Sequence, residues 1–466
     1  MKYQVRPAVL SEIETPRPDT AYPVPLTDET MRERLGKVLD RMEKRALDTL
    51  VIYCDLEHSA NFAYLTGFVT RFEEALLILR RNGEAALIVG NENLKLAPHS
   101  ALPARVLHCP YFSLPDQPMD GEKPLCELLW AAGVTQTGRI GLIGWKLLRS
   151  SFADTSRWFD VPAYITDAVR DAAGGENIEN ATDLMIGPEG VRICNNANEI
   201  AHYEYGSALS SDCVMRTMDA LAPGKTELEL GSLMNACGQR CNVVTICASG
   251  PRYEKGNLYP TARRLRTGDA MSLTCGYPGG LSSRAGILAE DETQIPDACA
   301  DYLTALAAPY FSALAAWLEN IRIGMTGGEM YAVVEEALPR ERFGWGLCPG
   351  HLTADEEWLC SPIRSGSAET LRSGMLLQTD IIPSLKGYPG AGCENGIALA
   401  DASLRGALRA QYPALFSRMQ ARRSFVKTQL GIRLPEEVLP LCSGLAYFRP
   451  YLMRRGTAMR CENPCD

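Results

Sequence analysis

The chain has 466 residues, of which 46% are apolar and 22% charged, so it can bury substantial cores and need not be disordered. At roughly 150 residues per domain this length allows about three domains, and a large second domain reduces the expectation to two. The net charge of −9 argues against a nucleic-acid surface, because phosphate binding needs a concentrated basic face. Small-molecule chemistry is favoured instead.

The sequence also argues against a membrane-spanning segment and against a disulfide framework. No apolar run approaches the roughly 20 residues that span a bilayer, and the opening residues lack the apolar core of a signal peptide. We therefore expect a protein that stays in the cytoplasm. The 16 cysteines are scattered, with the tightest spacings at Cys237/Cys241 and Cys461/Cys465. Most are expected to be reduced structural thiols that act as small buried hydrophobes; the alternative is that some are redox-active or bind metal.

The first part of the chain has an α/β pattern. A helix is predicted over 27–46, opened by Thr27 as its cap. Short apolar runs predict strands that alternate with two more helices; the strands are 50–54, 75–79, 85–89 and 140–144, and the helices lie near 122–132 and 146–158. Gly187-Pro188 then interrupts the periodicity, which places a domain boundary near residue 185.

Beyond that boundary, helices and strands continue to alternate. Helices are predicted at 198–221, 226–239, 296–319, 327–337, 402–411 and 413–429, and strands at 242–248, 270–276, 375–382 and 396–400. The basic run 422–427 on the last helix is expected to be a solvated face. Thr226 and Glu229 form the pattern of a capping box at the start of the second helix.

Several short motifs together resemble one superfamily. The N-terminal part carries 61–68 (NFAYLTGF) and 85–92 (AALIVGNE), and the later matches are Glu199-Ile200, 222–227 (APGKTE), Ser249-Gly250, Gly268-Asp269, Gly374-Met375 and 393–395 (CEN). In this set the chain resembles creatinase, prolidase and aminopeptidase P. The resemblance implies an α/β (α+β) architecture, with a creatinase/prolidase-type α/β domain at 1–185 and a pita-bread domain at 186–466. It also implies a homodimer.

The resemblance further implies a place for two metal ions, which active peptidases of the superfamily hold with two aspartates, one histidine and two glutamates. Thr274 takes the place of the first aspartate, and a hydroxyl is a poor substitute for a carboxylate. Arg284 falls at or next to the second, where a guanidinium repels a cation. In the place of the histidine the chain has Trp345, and the glutamate positions match Asp380 and Glu394. We expect no dinuclear Mn, Co or Zn centre and no other cofactor.

Creatinase is the precedent within the superfamily, because it hydrolyses a C–N bond of a small guanidino compound without metal, using a histidine and carboxylates. The place of that histidine falls in 256–260, where Tyr259 is nearest. The remaining catalytic candidates are therefore His351, Asp380 and Glu394, since a histidine can move protons near neutral pH and carboxylates can orient a cationic substrate and water. The alternative is that His351 is an ordinary loop histidine and the two acids pair with Arg284 in a structural network.

Four residues are predicted to contact substrate: Arg284, Tyr259, Trp345 and His58, the last from a neighbouring subunit. The run 355–358 (DEEW) offers charge and an aromatic face to a cationic ligand, or else is a solvated loop.

The sequence leaves three candidate functions open. The first is metal-independent hydrolysis of a C–N bond in a small nitrogenous or amino-acid-like compound. The second is a catalytically silent binding or scaffold protein, and the third is a dinuclear-metal Xaa-Pro peptidase.

Overall fold

The computed structural model describes residues 6–175, 177–254 and 258–462. The chain divides into two compact units, one formed by Leu26–Ile193 and the other by Met1–Pro25 together with Cys194–Asp466. In the described part of the chain, no helix is both long enough and apolar enough to cross a membrane.

The regular elements are as follows. The strands are β1 (Ala8–Glu12), β2 (Thr49–Cys54), β3 (Ala75–Arg80), β4 (Ala85–Val89), β5 (Arg105–His108), β6 (Ile140–Ile143), β7 (Ile178–Asn180), β8 (Ile246–Ser249), β9 (Ala270–Tyr277), β10 (Gly280–Ile287), β11 (His351–Leu352), β12 (Leu376–Gln378), β13 (Gly392–Glu394), β14 (Gly396–Leu399), β15 (Val438–Pro440) and β16 (Thr457–Cys461). The helices are α1 (Asp28–Lys44), α2 (Ala60–Thr66), α3 (Leu125–Ala132), α4 (Ala163–Ala172), α5 (Thr182–Met185), α6 (Ala197–Asp219), α7 (Glu227–Gly231), α8 (Pro251–Glu254), α9 (Ala308–Asn320), α10 (Gly327–Ala337), α11 (Arg340–Phe343), α12 (Ala402–Gln411) and α13 (Pro413–Thr428).

The unit formed by Leu26–Ile193 is built on a six-stranded mixed sheet with the order β5-β4-β3-β2-β6-β7. Its central strand β2 is buried along its whole length, as expected for a strand that is covered on both faces. The helices α3 and α4 contribute to the same apolar core as the sheet. The predicted strands are confirmed, and α1 begins at Thr27, whose side chain accepts a hydrogen bond from the backbone N–H of Thr30.

The helix predicted at 146–158 is wrong, because that stretch forms turns. The Ser150 hydroxyl accepts the backbone N–H groups of Phe152 and Ala153, and Asp154 accepts the N–H of Ser156. Short polar side chains that bond to nearby backbone in this way compete with helix formation.

The other unit carries two four-stranded antiparallel sheets, β13-β10-β9-β8 and β11-β12-β14-β15, and a separate pair of β1 with β16. Helix α6 packs on β9 and β10. It begins at Asn196 in a capping box with Glu199, and the predicted box of Thr226 with Glu229 at α7 is confirmed. Strand β10 was not predicted, since its sequence GLSSRAGI has no apolar alternation.

Two details differ from the expected division of the chain. The first 25 residues group with the C-terminal unit, because β1 pairs with β16 near the chain's other end. The division falls at Ile193 and not near 185, since the N–H groups of Val191 and Arg192 bond back to carbonyls of the α5 region.

Some helices are shorter than predicted. Helix α7 ends at Gly231 and is followed by a 3₁₀ turn, whereas a helix was predicted to 239. The helix predicted at 296–319 is α9, preceded by a π-helical turn at Leu303–Ala307. The basic run 422–427 is not a solvated face throughout, because Arg422 and Arg423 are buried and bond to acids and backbone carbonyls.

Candidate active site

A cavity of about 310 Å³ opens beside the sheet that contains β9, β10 and β13. Seven of its lining residues carry hydroxyl or carboxyl groups: Tyr253, Ser272, Thr274, Ser283, Glu357, Asp380 and Glu394. Three of them come together through strand pairing, because Ser283 is the register partner of both Thr274 and Glu394. Neighbouring residues on paired strands face the same side of the sheet, so these three side chains project together.

Two hydroxyl groups that line the cavity are hydrogen-bonded to each other. The Oγ1 atom of Thr274 and the Oγ atom of Ser283 are 2.7 Å apart, a hydrogen bond in which either can donate. Thr274 stands where the resemblance implies the first aspartate. The structure shows that Ser283, next to Arg284, is the residue that faces the cavity from β10. Both positions therefore carry neutral oxygens.

Asp380 and Glu394, two of the three predicted catalytic residues, line the cavity together with Glu357. Asp380 follows β12 and is 5% exposed; its Oδ1 atom is buried and has no hydrogen-bond partner among the described residues. Burial raises the pKa of Asp380 to about 6, against the charge of His351. Burial, together with the charges of Asp380 and Glu357, raises the pKa of Glu394 well above its usual range. The acids therefore compete for protons.

His351 lies behind these acids and is fully buried. Its Nε2 atom is 3.1 Å from an oxygen of Glu357 and 4.0 Å from an oxygen of Asp380. Its ring stacks on Trp358, with centroids 4.2 Å apart. Burial lowers the pKa of His351, but the carboxylates of Glu357 and Asp380 outweigh it, so the net shift is upward. His351 contacts the acids of the cavity but is not itself a lining residue.

The expected role of Arg284 as a substrate contact is wrong, because its side chain points to the opposite side of β10. The guanidinium is 1% exposed. It donates to the backbone carbonyls of Tyr447 at 3.0 Å and Gly444 at 2.7 Å, and to Oδ1 of Asn395 at 3.0 Å. Its contact with Glu394 is to the backbone carbonyl, not to the carboxylate. The alternative in which Arg284 bridges the two acids is therefore also wrong.

The other predicted substrate contacts lie elsewhere. Trp345 is buried and donates its Nε1–H to the carbonyl of Leu338 at 2.7 Å, so it is a core residue. Tyr259 is 63% exposed, and 255–257, which include part of the run around it, lie outside the described residues. His58 belongs to the Leu26–Ile193 unit, where it contacts Asp55 at 3.0 Å and stacks on Trp145.

Sequence reasoning missed two residues of this site. Ser283 was missed because the sequence comparison assigned Arg284 to the position of the second aspartate. Only strand pairing decides which of these two neighbours faces the cavity. Glu357 was included in the run 355–358 without a role of its own. The sequence feature that pointed to Glu357 was its position next to Trp358. The structure places both residues against His351.

The superfamily's two metal ions do not fit these residues. Both positions at which the resemblance implies an aspartate carry hydroxyls, so two of the anionic ligands that the superfamily's metal ions need are replaced by neutral oxygens. In the described ranges, no group of three or more His, Cys, Asp or Glu residues is arranged to hold a metal ion.

The comparisons agree with the fold. Dipeptidase PepE from Mycobacterium ulcerans matches with a TM-score of 0.61 at 20% identity, covering 81% of this chain and 95% of that one. The prolidase from Pyrococcus horikoshii OT3 matches with 0.61 at 17%, covering 79% and 95%. The X-Pro aminopeptidase from Thermotoga maritima MSB8 matches with 0.60 at 16%, covering 79% and 95%.

No family model and no curated protein matches the sequence. The structural matches show that the chain has the fold of the prolidase, dipeptidase and aminopeptidase P superfamily. The resemblance and the pita-bread architecture inferred from the motifs are thus confirmed. At these identities a shared fold does not carry over a shared substrate.

Proposed function

We propose that the protein hydrolyses a C–N bond in a small, positively charged nitrogen compound without a metal ion. One observation carries this proposal: three carboxyl groups, those of Glu357, Asp380 and Glu394, surround a cavity whose remaining polar groups are hydroxyls. Asp380 and Glu394 are buried and have raised pKa values, and such acids hold a charge only if a cation pairs with them. A protonated amidine, guanidine or amine would supply that cation and the hydrogen-bond donors that Asp380 lacks.

Chemically, the reaction forms one C–O bond and breaks one C–N bond. Asp380 and Glu394 hold the substrate and the attacking water, and the hydroxyls of Thr274 and Ser283 are placed to bond the carbon substituents. The water loses a proton as it attacks, and the leaving nitrogen gains one. Asp380, whose pKa burial raises to about 6, exchanges this proton at the reacting groups. His351 takes part through Glu357, whose carboxylate oxygen lies 3.1 Å from the Nε2 atom.

A screen of amidino, guanidino, cyclic amidine and N-acyl compounds, read by release of ammonia or amine, tests the proposal. Purified protein is first analysed for metal. Where turnover is found, we expect Asp380→Asn to reduce kcat by about 10²–10⁴-fold, the range for loss of proton-transfer catalysis. His351→Gln should reduce kcat and also shift the pH profile. Turnover that requires about two equivalents of Mn, Co or Zn, or that survives Asp380→Asn, would refute it.

A second candidate function is a silent binding protein. It is favoured by the position of His351, which is enclosed by Glu357 and Trp358 and does not line the cavity. This arrangement can select a cationic ligand without reacting with it. Calorimetric binding of benzamidine or an alkylguanidine, with no product after long incubation of that ligand, would select this candidate over hydrolysis.

A further inference from the structure

A second and larger cavity, of about 770 Å³, lies in the same unit as the candidate active site but shares no lining residue with it. One wall is the N-terminal segment 15–23, and the opposite wall is one face of α6. On that face Tyr205, Leu209, Asp212 and Arg216 recur at helical spacing. The volume lies within the range of roughly 300–1,000 Å³ that is typical of small-molecule sites.

The wall formed by the N-terminal segment is fixed in place by buried ionic contacts. The backbone N–H of Asp19 donates to both carboxylate oxygens of Asp212, at 3.0 and 3.1 Å. The carboxylate of Asp19 accepts from Arg422 at 2.9 Å and from the backbone N–H of Ser443 at 2.9 Å. The side chains of Asp19 and Arg422 are 5% and 4% exposed. The cavity is therefore a built feature of the fold.

Two charged groups on the α6 face lack partners of opposite charge. Asp212 accepts only the one N–H from Asp19, whereas a carboxylate can accept about four hydrogen bonds. No Lys, Arg or His of the described chain lies within ion-pair distance of Asp212, and no carboxylate lies within that distance of Arg216. The contact of Arg216 is with the Sγ atom of Cys213 at 3.5 Å. Burial raises the pKa of Asp212 to about 7, although the N–H of Asp19 and the charge of Arg422 oppose the shift.

The spacing of these two groups sets the size of the ligand. Residues four apart on a helix lie on the same face with their Cβ atoms about 6 Å apart. The two ends of an extended dipeptide are separated by about 7 Å, at roughly 3.3–3.6 Å per residue. Leu209 and Met215 on α6 and Tyr22 opposite add apolar surface to the walls, and Arg17 and Asp219 also line the cavity.

We propose that this cavity binds a zwitterionic ligand of dipeptide size, with its ammonium group on Asp212, its carboxylate on Arg216 and its apolar side chains along Leu209. The site is independent of the proposed hydrolysis, which uses the other cavity. It would give the protein a second small-molecule partner, distinct from the substrate.

Isothermal titration of the full chain with L-leucyl-L-phenylalanine tests the proposal. The N-acetyl and C-terminal amide forms of the same dipeptide are the matched ligands, because each lacks one charge. We expect the free dipeptide to bind and each modified form to bind at least about 10-fold more weakly, the loss of one charge-assisted contact. Equal binding of all three forms, or no binding of the free dipeptide at millimolar concentration, would overturn the proposal.

Alkylation of Cys237, which is exposed and lines this cavity, reports whether the ligand binds there. The dipeptide should protect Cys237 from iodoacetamide, measured by mass spectrometry of its peptide, and leave Cys348 unprotected. Leu209→Trp fills the cavity and should abolish both binding and protection, whereas Leu347→Trp, in the other cavity, should preserve both. The surface change Arg216→Gln should weaken binding even if Leu209→Trp does not fold. Binding that survives Arg216→Gln, or that is lost in Leu347→Trp, contradicts the assignment.

Discussion

Replacing Arg284 by methionine tests whether this residue supports the fold or the site. The side chain is buried and its donors satisfy Gly444, Tyr447 and Asn395. Methionine has a similar length and no donor, so the carbonyls of Tyr447 and Ser283 and Oδ1 of Asn395 would lose this donor, whereas the Gly444 carbonyl keeps the N–H of Tyr447. Each buried acceptor without a partner costs about 1–3 kcal/mol. The variant also avoids the cost of removing the guanidinium from water, which offsets part of the cost of the unpaired acceptors. The expected decrease in the free energy of unfolding is therefore about 3–5 kcal/mol.

Urea denaturation of both proteins, followed by tryptophan fluorescence, measures this loss as a change in midpoint at constant slope. Arg322→Met is the control, since Arg322 is exposed and makes one long bond to a backbone carbonyl; it should shift stability by less than about 0.5 kcal/mol. A loss below about 1 kcal/mol in Arg284→Met would refute the reasoning, and so would a variant that is as stable as the parent but fails to bind cationic ligands.

Three further changes follow from the same structure. Asp212→Asn should make the protein more stable relative to the parent as pH rises from 5 to 8, because burial raises the pKa of Asp212 to about 7 in the folded state. The parent loses stability as pH rises through this value and the buried carboxyl group becomes charged, whereas asparagine stays neutral. The full three-unit shift is worth about 4 kcal/mol, and partial exposure reduces it to about 1–2 kcal/mol, measured by melting temperature at each pH. Glu357→Gln should lower the pKa of His351, because it removes the nearer of two carboxylates; titration of the imidazole resonances by NMR checks this, and an unchanged pKa would contradict the contact. Gly279→Ala should cost more than about 3 kcal/mol, since its Cβ would lie 2.0 Å from the carbonyl oxygen of Tyr203 at a φ of +109°; Gly324→Ala, also at positive φ but with open space around it, should cost about 1 kcal/mol.

Local sequence was enough for many of the elements. The boundaries of α1, α10, α12 and α13 were predicted closely because capping residues and apolar periodicity act within a few residues of one another. The prediction failed where side chains bond to their own loop, as at 146–158, and where a strand has no apolar alternation, as in β10. In both cases the deciding contacts are not visible in hydrophobic spacing.

The sequence by itself predicted the fold, and it predicted Asp380 and Glu394 as acids of the candidate site and Thr274 and Arg284 where the resemblance implies aspartate ligands. Only the tertiary structure decided that Ser283 and not Arg284 faces the cavity, and that Glu357 lines the cavity and contacts His351. It also assigned the first 25 residues to the C-terminal unit. The reason is physical: a shift of one residue on a strand turns a side chain to the opposite face. The register of Ser283 is set by pairing with Thr274 on β9 and with Glu394 on β13, a strand distant in the chain, and neither pairing is visible in the hydrophobic pattern.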